Sequence, residues 1–401
     1  MMKTRRAFLA AACALGALAL PHTAVQAADK PPIKIGVLLP LSGFQASYGE
    51  MYRVAFNMAI EDINKAGGIN GSNIQLLVED DQGAATQAVL LFRRLVSDGV
   101  FAILGPIAGT TWEQAAPLAV SLKTPALNWT ALKPKISKKP YALRLQPADD
   151  SMIPEGVAEF RKKFPNAKKI VIAGDLKEAS GASGIEEFKK AVQKQGLQLV
   201  DIVGFDTRTT DFSPVAIKIN GLAPDAVFLS AFGPNTLSLL KELQPLGFKK
   251  PILGNALLWA GAFAQTVGTS GQNVYTIGFN TNEPAPYIKG HDEFSFKYIK
   301  YSADNSKVPQ PANVANTTLA YDTVTLLTGI MRAKKIDGTT KPEKARQAIV
   351  DSLASLKQWQ GLNKLVMTDS GDGYIQCHLL EVDVPNKIWK FSLPLAERQK
   401  K

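Results

Sequence analysis

The chain has 401 residues, 46% of them hydrophobic and 20% charged, with 31 Gly and 24 Pro. That composition excludes a disordered polar chain and a membrane bundle, and the length predicts two domains of ordinary size rather than one overgrown core. The formal charge of +11, from 46 Lys and Arg against 35 Asp and Glu, by itself admits a nucleic acid or an anionic surface as partner.

The first residues weaken that reading. Lys3, Arg5 and Arg6 precede an uncharged apolar run over 7–20, which Pro21 and a small-residue stretch over 24–28 follow. This is the layout of a cleavable export signal spanning 1–27. The run is shorter than the roughly 20 residues that a helix needs to cross a bilayer, and no later stretch is apolar enough to span. Cutting after Ala27 leaves 374 residues and takes three positive charges from +11, giving +8. Basic clusters over 133–139 and 161–169 lack the interleaved aromatics that stack on single strands, so they read as solvated faces and no nucleic acid is expected. Arg5 and Arg6 before Ala7, Phe8 and Leu9 resemble the twin-arginine export motif; an ordinary secretory signal that happens to carry two arginines fits as well. Cys13 lies in the signal and leaves Cys377 alone, so no intramolecular disulfide can form. A lipid anchor on Cys13 is not expected either, because the large aliphatic residue usual three places before it is missing.

Beyond the signal, short apolar runs alternate with segments of helical period. A strand is predicted over 33–39 and a helix over 48–66, with Met51, Val54, Ala55, Met58, Ala59 and Ile63 on one face and Gly67–Gly68 at its end. Strands over 74–78, 101–104 and 125–128 then alternate with helices over 84–97 and 111–122. A second series begins after Asp149–Asp150, with helices over 152–164, 184–195, 212–220 and 235–246 and strands over 169–173, 198–205, 226–229 and 251–254. A strand over 275–279, helices over 316–334 and 342–356, and a hairpin over 366–381 broken at 369–373 complete the chain. Continuous apolar strands separated by helices predict parallel sheets covered on both faces. The fold class is therefore α/β, with two Rossmann-like lobes and a ligand cleft beyond the carboxyl ends of their strands.

Catalytic signatures are missing. No phosphate loop, dinucleotide fingerprint or nucleophile elbow occurs. Ser238 and Lys241 match a Ser-x-x-Lys pattern, yet they lie inside a predicted amphipathic helix without partner motifs. Cys377 and His378 are neighbours on one strand and point to opposite faces, so no metal is expected. The pairs Asp80–Asp81 and Asp149–Asp150 read as capping and hinge residues ahead of a general acid and base. Neither a catalytic residue nor a cofactor is expected.

The stretch Ile33-Lys34-Ile35-Gly36-Val37-Leu38-Leu39-Pro40-Leu41-Ser42-Gly43, then Tyr48-Gly49 and Ala59-Ile60-Glu61-Asp62-Ile63-Asn64-Lys65-Ala66-Gly67-Gly68-Ile69, closely resembles the opening of branched-chain amino-acid-type periplasmic binding proteins. Asp80–Asp81 looks like that family's acidic turn, Gly105–Pro106 like its first pocket loop, Leu143–Arg144 like its first crossing, Gly181 and Phe188 like its second-lobe loop and helix, and 225–229 like the last central strand. The resemblance implies a periplasmic solute receptor of an ATP-driven importer, working with a membrane permease. It also implies two lobes joined by three hinge crossings: 28–146 plus 281–357, and 147–280 plus 358–401. A sensor of the same fold, reporting amides or small acids to a regulator, is the alternative.

The resemblance places the ligand among Tyr48, Ala108, Gly109, Thr110, Trp129, Thr130, Ala131, Ser180, Phe232, Ala256 and Trp259. Gly105 to Thr110 ends a strand and opens a helix, which makes an anion seat from backbone N–H groups and the helix's positive end. Gly109, Thr110 and Thr130 are expected to hold a carboxylate, while Tyr48, Trp129, Phe232 and Trp259 pack its body. Several positions depart from the family. Ala108 and Gly109 stand where amino-acid-binding members have Cys or Ser and then Ser, Ala131–Leu132 replaces Ala-Thr, Ser180 replaces a tyrosine, and the acidic residue that receives the ammonium falls near Ala256. Gly83 and Ala108 match a disulfide of some relatives. No Asp or Glu occurs over 251–281, and a buried ammonium without a counter-charge costs several kcal/mol. The expected ligand is a small carboxylate, hydrophobic or aromatic, ahead of an amino acid.

Overall fold

A computed structural model describes residues 30–285, 289–394 and 397; the export signal expected over 1–27 lies outside them. β1 (Lys30–Leu39), α1 (Ala46–Lys65), β2 (Ser72–Asp80), α2 (Ala85–Ser97), β3 (Ile103–Leu104), α3 (Gly109–Ser121), β4 (Ala126–Asn128) and β5 (Ala142–Arg144) alternate along the first part of the chain. The strands pair in parallel in the order β2-β1-β3-β4-β5. Ile33, Ile35, Val37 and Leu39 of β1 are buried beneath α1 residues such as Val54, Ala55 and Met58, while Leu38 faces α2 and α3 with Phe92, Leu95 and Trp112. Both faces of the sheet are covered, which is why its strands read as unbroken apolar runs.

The second part repeats the plan with α4 (Asp149–Lys163), β6 (Lys169–Asp175), α5 (Ala179–Lys194), β7 (Gln198–Phe205), α6 (Ser213–Gly221), β8 (Ala226–Ser230), α7 (Gly233–Leu243), β9 (Ile252–Gly254), the one-turn helices α8 (Ala256–Trp259) and α9 (Phe263–Thr266), and β10 (Val274–Gly278). The chain then builds α10 (His291–Asn305), α11 (Thr317–Ala333) and α12 (Pro342–Ala354); α10 and α11 pack on α1. It returns through β11 (Gln358–Gln360), β12 (Lys364–Met367), β13 (Gly373–Tyr374), β14 (His378–Asp383) and β15 (Ile388–Phe391).

Two expectations need correction here. The second sheet, in the order β15-β14-β10-β9-β8-β6-β7, is not wholly parallel, because β14 runs antiparallel to β10 and β15 antiparallel to β14. The hairpin expected over 366–381 is cut short. β12 pairs with β13 over two positions only, and the chain then leaves for the large sheet as β14. Alternation within 366–381 marks strands without naming their partners, and β10 offers its free edge to Leu379 and Leu380, which are fully buried there. The helix α10 and the strands β5, β11 and β15 carry too weak a pattern to be predicted.

Local chemistry explains the carboxylate pairs. Asp149 and Asp150 form the first turn of α4 while Arg161, Lys162 and Lys163 form its last, so Asp150 and the basic residues match charge to the ends of the helix dipole, while burial pushes the Asp149 carboxyl well up. Asp80 Oδ1 accepts from the backbone of Leu41, Ser42 and Gln82 and so ties the loop after β1 to the end of β2. Asp81 Oδ1 accepts from Gly83 N at 2.9 Å, and its Oδ2 is buried with no partner among the described residues. Burial, aided by the neighbouring Asp80, pushes the Asp81 carboxyl up to about 6.

A group whose folded value lies above its unfolded one favours the native state when protonated, and that contribution is lost as pH rises from the unfolded value through the folded one. For Asp81 the window runs from 3.8 to about 6. Asp81→Asn, which keeps the Oδ1 acceptor and cannot ionise, should therefore gain stability relative to the wild type by about 2–3 kcal/mol on going from below to above that window. Urea unfolding of both proteins at the two ends of the window measures it. An equal difference at both pH values would contradict the assignment.

Candidate functional site

The loops that leave the carboxyl ends of both sheets meet. After β3, residues 105–109 lead into α3; after β4, residues 128–132 run alongside them. Asn128 binds the two loops together, donating from Nδ2 to Pro106 O at 2.6 Å and accepting at Oδ1 from Thr130 N and Ala131 N. Thr130 Oγ1 donates to Ile107 O. Fully buried Arg144 fixes the far side of the second loop, donating from Nη1 to Ala131 O and Lys133 O, while its Nη2 lies 2.8 Å from Asp372 Oδ1.

The other wall comes from the second sheet. Ser180 follows β6, Phe232 follows β8, and α8 follows β9. Tyr48, on α1 of the first lobe, reaches across to this wall. Its hydroxyl donates to Leu257 O at 3.2 Å and accepts from Gly233 N at 2.9 Å, with Phe232 packed edge-on at 5.5 Å. The approach is close enough that a Cβ on Gly261, whose φ is +75°, would come within 2.8 Å of the Tyr48 ring. Burial raises the Tyr48 hydroxyl far above the ordinary tyrosine range, so it stays protonated. Further bonds join the lobes, among them Leu132 N to Ser180 Oγ at 3.1 Å, Thr110 N to Glu178 Oε1 at 3.0 Å, and Asn313 Nδ2 to Trp259 O at 2.9 Å and Gly261 O at 2.7 Å.

These contacts enclose a pocket of about 380 Å³ of atom-free space, mouth included. The first lobe lines it with Tyr48, Ala108, Gly109 and Thr130, the second with Ser180, Phe232 and Ala256. All seven were among the residues expected from sequence. The other four stand elsewhere. Trp129 is fully buried against Tyr52 and Phe56, with ring centroids at 5.3 and 4.8 Å. Trp259 donates from Nε1 to Asn280 O and packs on Phe279. Ala131 is buried in the core beneath α3, and Thr110 points its N–H and hydroxyl at the Glu178 loop. A strand end tells that a residue is near the cleft; it does not tell which way the side chain leaves the backbone.

Sequence reasoning missed Gln45, Tyr52, Ile107, Leu257, Ala260 and Asn316, which line the same pocket. Tyr52 lies one helical turn beyond Tyr48, and that spacing could have found it. Asn316 comes from the start of α11, where Tyr52 OH donates to its Oδ1 at 2.5 Å and its Nδ2 donates to Gln146 at 3.1 Å; no local signal marks it. A wider groove, about 2130 Å³ including open solvent, is lined by Tyr321, Trp359, Lys364 and Tyr374 among others. It contains none of the strand-end loops of the first sheet, so the smaller pocket is the better candidate. Among the described residues no group of three His, Cys, Asp or Glu side chains could hold a metal ion, and no helix is long and apolar enough to cross a membrane. His378 faces Glu159 at 2.9 Å, and Cys377 Sγ donates to Ile375 O.

Two α/β lobes with a pocket at the facing carboxyl edges of their sheets, closed by direct lobe-to-lobe bonds, define a ligand-capturing protein. The family model for periplasmic binding proteins matches residues 32–377, and the chain belongs to that family, in its branched-chain amino-acid type. The leucine-, isoleucine-, valine-, threonine- and alanine-binding protein of Pseudomonas aeruginosa is 26% identical over 319 residues, covering 79% of this chain and 82% of that protein. Among solved structures, the branched-chain amino acid transporter substrate-binding protein of Streptococcus pneumoniae in complex with isoleucine has a TM-score of 0.75 at 21% identity, covering 90% of this chain and 98% of that one. A solute-binding protein of an ABC transporter from R. palustris in complex with benzoate gives 0.75 at 19% identity, covering 88% and 93%.

Tyr48→Phe removes the acceptor of buried Gly233 N–H and the donor to Leu257 O. It should cost the closed arrangement about 1–3 kcal/mol and give a larger radius of gyration in small-angle scattering, with circular dichroism unchanged. Equal compactness of variant and wild type would count against Tyr48 as a link between the lobes.

Proposed function

We propose that this chain is the periplasmic substrate-binding subunit of an ABC importer, delivering a small solute to a membrane permease without altering it. The lobes are 28–146 plus 281–357 and 147–280 plus 358–401, and they close on the ligand as hinged bodies. The observation that carries the reading is the pocket at the joint of the two sheets, sealed by Tyr48 against Gly233 and Leu257.

The lining favours a ligand with a flat or branched apolar body. Tyr48, Phe232, Leu257, Ala256 and Ala260 supply apolar surface, Thr130, Ser180, Gln45 and Asn316 supply polar contacts, and the lining contains no charged side chain. None of the lining residues offers an α-amino group a carboxylate, which is costly in a buried site. The ligand proposed is therefore a small hydrophobic or aromatic carboxylate, with an amino acid as the weaker candidate. The solved relative with benzoate and the curated relatives named for aliphatic amino acids support that range.

Calorimetry and thermal-shift measurements with benzoate, 4-hydroxybenzoate, leucine and isoleucine test this. An aromatic carboxylate should bind at least 100-fold more tightly than leucine. At 100 times its Kd it should stabilise the protein by about 2.7 kcal/mol. Tight leucine binding would overturn the amino-group argument, and the absence of stabilisation by every compound, with turnover of one of them, would overturn the capture reading.

A further inference from the structure

One of the donors expected to seat a ligand's carboxylate, Thr110, already has an anion. Glu178 caps α5 of the second lobe, its Oε2 accepting from Gly181 N at 2.9 Å. Its Oε1 crosses the cleft to accept from Thr110 N at 3.0 Å, with Thr110 Oγ1 at 3.4 Å, and Thr110 Oγ1 in turn accepts from Ala179 N at 2.9 Å. One carboxylate thus sits at the positive ends of two helices from different lobes, where helix N-termini hold anions. The group is buried, and its partners among the described residues are backbone N–H groups and a hydroxyl, with no cation. Burial raises its carboxyl above the ordinary range, opposed by the N–H groups of Gly181, Thr110 and Ser180.

We infer that Glu178 is a resident anion in the carboxylate seat of the cleft, and that this side chain determines the charge class of ligand the cleft accepts. The inference rests on the capture reading above and constrains the head group of its ligand: a carboxylate enters only against Glu178. Gly109 and Ser180 border the pocket and flank Glu178: a Cβ built on Gly109 would lie 2.2 Å from Ser180 Oγ and 2.8 Å from Glu178 Oε1. Glu178 stands behind the lining, and a ligand carboxylate seeking the Thr110 N–H would have to take the place of its Oε1; two ionised carboxylates that close strongly disfavour each other. Such a ligand binds only by displacing Glu178 from Thr110 or by arriving with a proton to share. A neutral head group meets no such opposition. Gln45, 7% exposed and part of the lining, has an Oε1 with no partner among the described residues, lying against Gly83.

The test compares wild type, Glu178→Gln and Glu178→Ala as full mature chains, by calorimetry with benzoate and with benzamide, which share a ring and differ in charge. Taking the ratio of the two affinities cancels any effect of the substitution on lobe closure itself. The benzoate-to-benzamide ratio should rise at least tenfold in both variants, and the Gln variant, which keeps an acceptor for Gly181 N, should match the wild type in circular dichroism. A ratio that is unchanged or lower would show Glu178 to be only a structural cap and overturn the inference. Should neither compound bind any of the three proteins, the ligand class proposed above fails instead, and scattering of the ligand-free proteins decides about Glu178. A less compact Glu178→Ala supports its role between the lobes, and equal compactness overturns it.

Discussion

The site depends on a contact between two edges that fold separately. Each sheet brings the carboxyl ends of its strands to one side, and only where those sides touch does a pocket exist. The bonds that make the contact include the Tyr48 hydroxyl between Gly233 N and Leu257 O, Leu132 N on Ser180 Oγ, Thr110 N on Glu178, Ala179 N on Thr110 Oγ1, and Asn313 Nδ2 on Trp259 O and Gly261 O. Each joins groups from different lobes, and each net bond is worth only about 1 kcal/mol, more where a charge takes part. Bonds of this size are ones that a small ligand's own contacts can shift, which is what population change on binding requires. Small residues make the approach possible, since side chains on Gly109 or Gly261 would collide with Ser180 or Tyr48.

Behind the pocket, the segments that pass between the sheets are tied more firmly. Arg144, at the end of β5, joins the loop at Ala131 and Lys133 to Asp372 in the turn before β13, and Ser137 also donates to Asp372. Removing one member of a buried ion pair of this kind typically costs 3–5 kcal/mol, several times one of the cleft bonds. Tyr52, Asn316 and Gln146 form a second chain linking α1, α11 and the start of α4.

Much of this was legible beforehand. The central strands of both sheets were found because burial on two faces leaves few polar positions in them, and long helices such as α1 and α11 because one face is continuously apolar. The positions flanking the pocket were found because strand ends and the resemblance agree on Tyr48, Gly109, Thr130, Ser180 and Phe232. The failures share one cause. Trp129 and Trp259 were placed by proximity in sequence to a strand end, yet their rings turn into the cores of their own lobes, where Phe56 and Phe279 receive them. β14 was assigned to a local hairpin because nothing in its own residues names a strand more than 100 positions earlier as its neighbour.

The amino-acid sequence alone determined the two-sheet α/β plan, the order of its elements and the loops that would face the cleft, since all of these follow from apolar periodicity and turn residues acting over a few positions. The tertiary structure alone decided who meets whom across that cleft. That Tyr48 bonds to a backbone 185 and 209 residues away, that Asn316 joins the lining, and that Glu178 takes the N–H of Thr110 are products of two surfaces brought together. A carboxylate's partner is set by distance and burial in three dimensions, and neither is a property of the residues beside it in the chain.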